Sequence, residues 1–433
     1  MAQAHEPTIR VDTVTLPAPP AGVQSSALLA AVALLTLANG LSSTLVGVRG
    51  GLEGMAQATV GAVMSAFFAG VVVGSMRTPR LVRAVGHIRA FAALASIASA
   101  ASLGFVLVIE PVVWIALRAA AGACYAGMVI VVESWLNAAT DRARRGRVLA
   151  TYGVVFYAAW AASQPLLNLA PASGFALFCL VSILFSLALV PITLTRAGVP
   201  GVVEADRARL GRLFEISPLG LAGAFALGVA MSAYWGMAPH VGQTVGFGEA
   251  TISLFLTATV VGALATQWPL GRLSDRTDRR RVVLAATAVA ALAALGLALA
   301  VDRAAVVVAL AVVLGGAAMP VYSLCVAHVN DQVESGEVVA ASSGLILVFG
   351  VGSAFGPFTA SLVMAALGPR GLFVFMAAVL AAFVVYGLRR LAVSAAPAPE
   401  TKDSYVAVPQ TSHAVLPLHD HGPEATKGPR APQ

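Results

Sequence analysis

Long uninterrupted apolar runs dominate this sequence and restrict its fold more than any other feature. A helix that crosses a bilayer needs about 20 consecutive apolar residues, and the sequence offers twelve such candidate spans. In chain order they are 26–48, 60–76, 91–109, 112–139, 148–170, 174–195, 218–240, 250–271, 282–300, 304–327, 338–366 and 371–388. Lipid admits only helices or closed barrels, and these runs lack the alternation of barrel strands. We therefore predict an all-α integral membrane protein with twelve transmembrane helices.

The polar breaks between the spans predict the domain organisation. With 58% hydrophobic and 11% charged residues, the chain has little polar sequence, and the longest interior stretch of it separates the first six spans from the last six. We expect a disordered cytoplasmic tail at 1–24, a six-helix bundle at 25–195, a cytoplasmic linker at 196–217, a second six-helix bundle at 218–390 and a disordered cytoplasmic tail at 391–433. Within the linker, Leu210, Leu213 and Phe214 would share one side of an amphipathic helix.

The positions of the arginines predict the orientation of the bundle. Connections two to three, four to five, six to seven and eight to nine are rich in Arg, whereas the opposite face carries Arg49, Arg303 and Arg370. Short loops rich in Arg or Lys stay in the cytoplasm. Both termini should therefore be cytoplasmic, in a multi-pass protein of the cell membrane. The formal charge of +7 then reflects topology, and we expect no nucleic-acid partner.

One short turn between the eighth and ninth spans, "GRLSDRTDRRR", concentrates seven charges between Arg272 and Arg281. Asp275 lies at the inner end of span eight, where it can pair with Arg276 or Arg279 or face the N-terminus of a neighbouring helix, whose dipole favours an anion. The simpler interpretation is that Arg279, Arg280 and Arg281 only cap helix ends and fix the topology. Both interpretations remain open.

This turn resembles the signature loop of the major facilitator superfamily. Gly271, Asp275, Arg276 and the basic cluster fit that pattern, whereas Asp278 replaces a usual glycine. The corresponding loop between spans two and three, "PRLVRAVGHIR", retains two of the expected residues and lacks two. Gly86 and Arg89 fit, but Pro79 and Arg83 stand where a glycine and the acid are expected.

Further resemblance lies in span four and in several short phrases. Arg118 and Gly122 have the spacing of the superfamily's intramembrane arginine motif, and "ANGLSST", "RGGLEG", "VVESW", "HVND" and "FGVGSAFGP" are similar to its YcaD-like branch. The resemblance covers roughly residues 26–390. It implies secondary active transport by rocking of two halves about a central cavity, with the signature loop latching the halves on the inside. It also implies that a monomer suffices, because one chain contains both halves.

Two ionisable residues are expected well inside the bundle. Glu133 precedes Arg142 by nine residues, which places it about 13 Å into its helix, where a carboxylate is costly unless it is paired or protonated. It could supply the missing acid for Arg83 or Arg89, carry a proton, or do neither. Arg118 cannot release its proton, so it could bind an anion, tune the proton affinity of a neighbour, or snorkel to the interface.

Other candidates follow from their predicted depth. Arg49 and Glu53 could form an outer gate pair, although exposed loop charges are the commoner case. Asp331, close to His328 and Asn330 at the end of span ten, could oppose the arginine cluster. Candidates for the wall of a midplane substrate site are Asn39, Tyr125, Tyr157, Trp160, Tyr234 and Tyr322. Each of them alone is more often a packing residue than a substrate contact.

The resulting functional prediction is a secondary active transporter that moves a small, modestly polar or amphipathic solute by alternating access, with proton coupling. A receptor or scaffold that does not transport is the alternative from another class, and a uniporter or a metabolite importer is the alternative to an exporter. The spans contain no HExxH or GxSxG motif, so an enzyme is not predicted. No cofactor or metal is predicted, and the expected partners are the solute, protons and membrane lipid.

Overall fold

The computed structural model describes residues 21–138, 145–194, 210–333, 337–393 and residue 405. In these residues the chain forms helices joined by short turns. They are α1 (Ala21–Leu52), α2 (Gln57–Val85), α3 (His87–Leu107), α4 (Pro111–Ala138), α5 (Arg145–Ser163), α6 (Ala176–Leu194), α7 (Leu210–Ile216), α8 (Pro218–Thr244), α9 (Glu249–Arg276), α10 (Arg279–Leu299), α11 (Ala304–Asn330), α12 (Val338–Leu367) and α13 (Arg370–Val393), with a 3-10 turn at Pro165–Leu169 after α5.

The predicted all-α fold is confirmed. In the described part of the chain, eleven helices are long and apolar enough to cross a membrane. The remaining predicted span, 148–170, corresponds to α5 and the 3-10 turn after it. It falls outside the eleven because its sequence, "RGRVLATYGVVFYAAWAAS", begins with two arginines and mixes tyrosine, threonine and serine with its apolar residues.

The helices divide into two six-helix halves with a short helix between them. Helix α7 lies in the predicted linker, but of the three apolar residues expected to share one side only Leu213 is buried, while Leu210 and Phe214 are exposed. Residues 195–209 of the linker lie outside the described residues. So do the predicted tails, except that α1 already begins at Ala21, α13 continues to Val393, and Tyr405 is described.

Glycines allow corresponding helices of the two halves to pack at backbone distance. In the first half, a Cβ on Gly70 or Gly122 would overlap the backbone of Ala119 or Phe67, where α2 crosses α4. In the second half, Gly262 and Gly315 meet Val312 and Thr259 in the same way, where α9 crosses α11. Small residues of this kind are typical of helix packing in membranes. The Gly122 of the sequence motif is therefore a packing residue.

The two halves are in close contact at one end of the bundle. We call the end with the α2–α3 and α9–α10 turns the basic end, and the other the opposite end. Near the opposite end, the Phe358 N–H of α12 donates to Ser65 Oγ of α2 at 3.0 Å. A Cβ on Gly47 of α1 would lie 3.2 Å from the Pro239 side chain of α8. The helices thus meet at van der Waals distance across the interface between halves.

Candidate functional site

The charged turn at the basic end is a buried ion-pair network. Arg279, the first residue of α10, points back at α9 and α11, and its side chain is only 1% exposed. It donates to Asp275 Oδ1 at 2.8 Å and to Asp331 Oδ1 at 3.1 Å. The side chain of Asp331 is itself 2% exposed. The structure therefore brings together three of the residues that the sequence singled out, and Arg279 joins three helices through two carboxylates.

The next acid in the turn caps α10. Asp278 accepts the Arg280 backbone N–H at 3.0 Å, which satisfies one of the donors left free at a helix N-terminus. It also accepts from Arg280 Nε at 3.2 Å and Nη2 at 3.0 Å. Partial burial raises the pKa of Asp278, but the hydrogen bonds and charges of Arg280 and Arg281 outweigh it, so the pKa is lowered from its ordinary value. Asp278, which replaces the usual glycine of the signature loop, thus acts as an ionised helix cap.

Tyr405, from the tail beyond α13, lies against the same face of α9. Its backbone N–H donates to Asp275 Oδ1 at 3.1 Å and Oδ2 at 3.3 Å. Its hydroxyl accepts from Gln267 Nε2 at 2.9 Å and hydrogen-bonds with Ser323 of α11. Between these two ends, the ring covers Gly271, where a Cβ would overlap it. Three α9 residues spaced four apart therefore hold one tail residue.

The corresponding turn of the first half is built differently. Helix α2 ends at Gly86, whose φ of +82° and ψ of 165° suit glycine almost alone. His87 is buried and stacks on Trp135 of α4 with ring centroids 5.7 Å apart. Arg83 and Arg89, which flank this turn, are exposed. The backbone and an aromatic stack shape this turn.

Glu133 is buried on α4 and is bound by a tyrosine that the sequence analysis did not select. The Tyr152 hydroxyl of α5 donates to Glu133 Oε1 at 2.6 Å. An electrostatic interaction also links Glu133 with the Tyr322 hydroxyl of α11, in the other half. Glu133 therefore lies near the interface between halves, and its role as latch or proton carrier stays a prediction.

Arg118 is a guanidinium buried in the first half, with 1% of its surface exposed. Its Nη2 lies 3.3 Å from Ser43 Oγ and 3.9 Å from Met64 Sδ, and its Cζ lies 4.5 Å from the centroid of the Phe67 ring. Within the described residues, Nε and Nη1 have no hydrogen-bond partner. The ring and the sulfur are weak partners for a cation. Snorkelling to the interface does not describe this side chain, because it is enclosed by α1 and α2.

Aromatic residues meet between the two halves. Trp160 of α5 and Trp235 of α8 face each other across the interface, with centroids 4.9 Å apart. The hydroxyls of Tyr157 and Tyr322 are buried, without a hydrogen-bond partner among the described residues. Tyr234 is different, because its hydroxyl bonds to Thr259 Oγ1. Tyr157 and Tyr322 thus retain free hydrogen-bonding capacity near the interface.

The remaining two candidate cavity residues are buried on helices of the first half. Asn39 is buried on α1. Tyr125 is buried on α4, with its ring centroid 6.1 Å from that of Phe67. Their assignment to a substrate site stays a prediction.

At the opposite end, Arg49 and Glu53 form an i, i+4 ion pair, with Nε and Oε1 2.6 Å apart. Arg49 also donates to the carbonyl oxygens of Ala172, at 3.2 Å, and of Ser173. The Ala172 N–H in turn donates to Glu249 Oε1 of the second half at 2.7 Å. The predicted pair therefore belongs to a chain of polar contacts that crosses between halves. Glu249, its last member, was missed because a first-turn glutamate is ordinary for any helix.

Among the described residues, eleven apolar helices of membrane-spanning length and α5 form two halves with buried charges near their interface. These are the features of a multi-pass membrane transporter. A family model described as Major Facilitator Superfamily matches residues 220–420. The chain is 28% identical over 364 residues to a protein of Escherichia coli described as the uncharacterized MFS-type transporter YcaD, covering 84% of this chain and 94% of that protein. An MFS-type transporter of Enterobacter sp. strain 638 is 27% identical over 365 residues, with the same coverage. The chain is thus similar to transporters of the major facilitator superfamily, and to its YcaD-like branch in particular.

Solved structures agree with this assignment at the level of the fold. The nucleoside transporter NupG matches with a TM-score of 0.70 at 13% identity, covering 84% of this chain and 98% of its own. A bacterial homologue of the human lysosomal transporter Spinster, solved in an inward-facing and unoccupied conformation, matches with a TM-score of 0.63 at 13% identity, covering 85% of this chain and 96% of its own. At such identities the comparison establishes the fold alone.

Proposed function

We propose that this protein is a secondary active transporter that moves a small solute by alternating access, with proton coupling through Glu133. The observation that carries the proposal is the burial of Glu133 on α4, where Tyr152 holds it by a hydrogen bond of 2.6 Å. A carboxyl group at membrane depth marks a functional site by default. The similarity of the chain to transporters of the major facilitator superfamily suggests that this function is transport.

Alternating access requires an interface between halves that opens at one end while it closes at the other. The described contacts near the opposite end are numerous and close, from Gly47 against Pro239 to the Ala172 N–H on Glu249. At the basic end, Tyr405 of the tail occupies the face of α9 that bears Asp275. The contacts at the opposite end support a state that is closed there, and alternating access would then have the basic end open. The positive-inside rule assigns the basic end to the cytoplasm, so the state is inward-facing and both termini are cytoplasmic.

The position of Glu133 suits proton coupling. Tyr322 of the other half lies near Glu133, so rocking of the halves would change the surroundings of the carboxyl group. Protonation of the carboxylate would also weaken the hydrogen bond from Tyr152, because a neutral carboxyl oxygen is a weaker acceptor than an ionised one. A proton on Glu133 therefore changes the contact between α4 and α5. Arg118 supports the same role as a fixed positive charge on the same helix.

The test is proton flux into proteoliposomes that contain a pH-sensitive dye. Pools of metabolites, nucleosides and amphipathic compounds are added outside, with nucleosides included because NupG, which has a similar fold, is a nucleoside transporter. A pool that moves protons in the parent protein and not in Glu133→Gln is the expected result. Glu110→Gln is the matched control, because Glu110 is exposed at the start of α4, and its flux should equal that of the parent.

Two outcomes would contradict parts of the proposal. Equal proton flux in the parent and in Glu133→Gln would remove Glu133 from the proton path and leave it a structural role. Transport of a radiolabelled solute without proton movement would indicate a uniporter. If a compound raises the thermal stability of the protein and is not transported, the receptor alternative replaces transport.

A further inference from the structure

Tyr405 engages the acid that the resemblance assigns to the latch between halves. Both oxygens of Asp275 face the Tyr405 backbone N–H, at 3.1 and 3.3 Å, and Oδ1 also accepts from Arg279 at 2.8 Å. A carboxylate with these donors is less available to a helix N-terminus of the other half. The contact with Tyr405 and the latch contact between halves therefore compete for the side chain of Asp275.

The surface of α9 that contacts Tyr405 is complementary to a tyrosine in shape and in hydrogen bonding. Gly271 leaves a flat surface that the ring covers. At one edge Asp275 accepts an N–H, and at the other Gln267 Nε2 donates to the phenol oxygen at 2.9 Å. Three complementary contacts along two turns of α9 amount to a small binding site for a hydroxylated aromatic ring with an adjacent N–H group.

Tyr405 also reaches towards the first half. Its hydroxyl bonds to Ser323 of α11 and interacts electrostatically with the Tyr157 hydroxyl of α5. A side chain held by α9 and α11 and close to α5 lies where the halves would have to approach each other to close the basic end. Val393, the last residue of α13, is about a dozen residues earlier in the chain, and a chain of that length can span at most about 40 Å.

We propose that Gln267, Gly271 and Asp275 form a tyrosine-binding site whose resident ligand is Tyr405, and that its occupancy holds the basic end open. The tail then acts as an internal inhibitor, because the halves close at the basic end only after Tyr405 has left. This inference depends on the proposed alternating access and adds to it a regulatory residue outside the twelve spans. It predicts that loss of Tyr405 changes the balance of conformations without any substrate.

The test measures the distance between the halves at the basic end by pulsed electron paramagnetic resonance in nanodiscs. Spin labels are placed at Ala84→Cys on α2 and Leu273→Cys on α9, two exposed positions on opposite halves. Cys179, the one native cysteine of the three that is not buried, is replaced by serine. The parent should give one long distance. In Tyr405→Ala the ratio of short to long distances should rise on the order of tenfold, the effect of losing one or two net hydrogen bonds.

Three further variants test whether the change in distance arises from the loss of the Tyr405 side chain. Tyr405→Phe loses the hydroxyl's hydrogen bonds to Gln267 and Ser323 but keeps the N–H and the ring over Gly271, so its shift should be smaller than that of Tyr405→Ala. Ser404→Ala controls for a change in the tail as such and should match the parent. Gly47→Trp, tested alone and with Tyr405→Ala, forces the opposite end apart, because Gly47 faces Pro239 across the interface. In the double variant the short distance should dominate.

The variants also separate the two ways to fail. The first failure is that Tyr405→Ala gives the same distances as the parent, while Gly47→Trp alone shortens the distance at the basic end as much as the double variant does. The halves then rock, but Tyr405 does not hold the basic end open, and the inference is overturned. If neither Gly47→Trp nor the double variant shortens the distance, the proposed alternating access itself is wrong. Equal shifts in Ser404→Ala and Tyr405→Ala would overturn the assignment of the effect to the tyrosine.

Discussion

The two basic turns occupy equivalent places in the two halves and are held by different forces. In the α9–α10 turn, Arg279 is buried between Asp275 and Asp331, and Asp278 caps the next helix. In the α2–α3 turn, Arg83 and Arg89 lie exposed, and the chain reverses at Gly86. One turn thus depends on buried charge and the other on a backbone conformation.

This difference shows how the presence of Asp275 changes the structure of its turn. Where Asp275 is present, an arginine can be drawn under the helix ends, since its guanidinium has carboxylates to bind. Where Arg83 replaces that acid, the arginines remain in solvent, and the buried Glu133 has Tyr152 as a hydrogen-bond donor. The second turn can therefore transmit a change of charge to three helices.

The largest effect is expected from Arg279→Ala. The substitution leaves Asp331 buried without its guanidinium, and removal of one partner of a buried ion pair costs about 3–5 kcal/mol. Reversible unfolding of the purified protein in mixed micelles should show a loss of that size. Arg279→Lys should recover part of it, because an ammonium keeps the charge but lacks the planar fork that reaches both acids.

Arg89→Ala is the matched change in the first half. Because Arg89 is exposed, its removal should alter the free energy of unfolding by less than about 0.5 kcal/mol. Equal losses for Arg279→Ala and Arg89→Ala would mean that the two turns are held by similar forces after all.

A smaller loss is expected from Gly86→Ala in the other turn. A Cβ at Gly86 would meet no atom within 4 Å, so any cost arises from the backbone, whose φ of +82° strains a residue with a side chain by about 1–3 kcal/mol. Gly211→Ala is the control, because it also opens into empty space and has no positive φ. Thermal unfolding of the two variants in parallel would measure the backbone cost alone. An unchanged Gly86→Ala would contradict the account of this turn.

Much of the fold and part of the site followed from the sequence because hydropathy and charge act locally. Twelve apolar runs required twelve helices, and the acid of the signature loop pointed to its arginine four residues later. Contacts that join distant segments were harder to predict. Nothing near Tyr152 marks it as the donor to Glu133, and Tyr405 is a single aromatic residue in a polar, proline-rich tail. Both contacts depend on how helices pack, which local periodicity does not encode.

Asp278→Ala should cost about 1 kcal/mol, the usual value of a helix N-cap. Asp278→Asn keeps a capping side chain and loses the charge, so it should cost less. Because the folded-state pKa of Asp278 lies below its ordinary value of 3.8, the ionised carboxylate stabilises the fold above that pH. The difference between the parent and Asp278→Asn should therefore be constant near neutrality and shrink as the pH falls below about 4. Melting temperatures measured from pH 7 to pH 3 would show this, and a difference that grows in acid would contradict it.

Arg272→Ala should have the smallest effect in the charged turn. Its Cζ lies 3.9 Å from the centroid of the Trp268 ring, and Trp268 is 62% exposed. Cation–π contacts at exposed sites contribute about 0.5–1 kcal/mol. Arg272→Lys should retain more of that stability than Arg272→Ala, and both can be compared with the parent by thermal unfolding. Arg272 and Arg279 carry the same charge within one turn and differ in burial, since Arg272 is exposed and Arg279 is buried. A loss for Arg272→Ala as large as that for Arg279→Ala would show that position beneath the helix ends is not what gives Arg279 its importance.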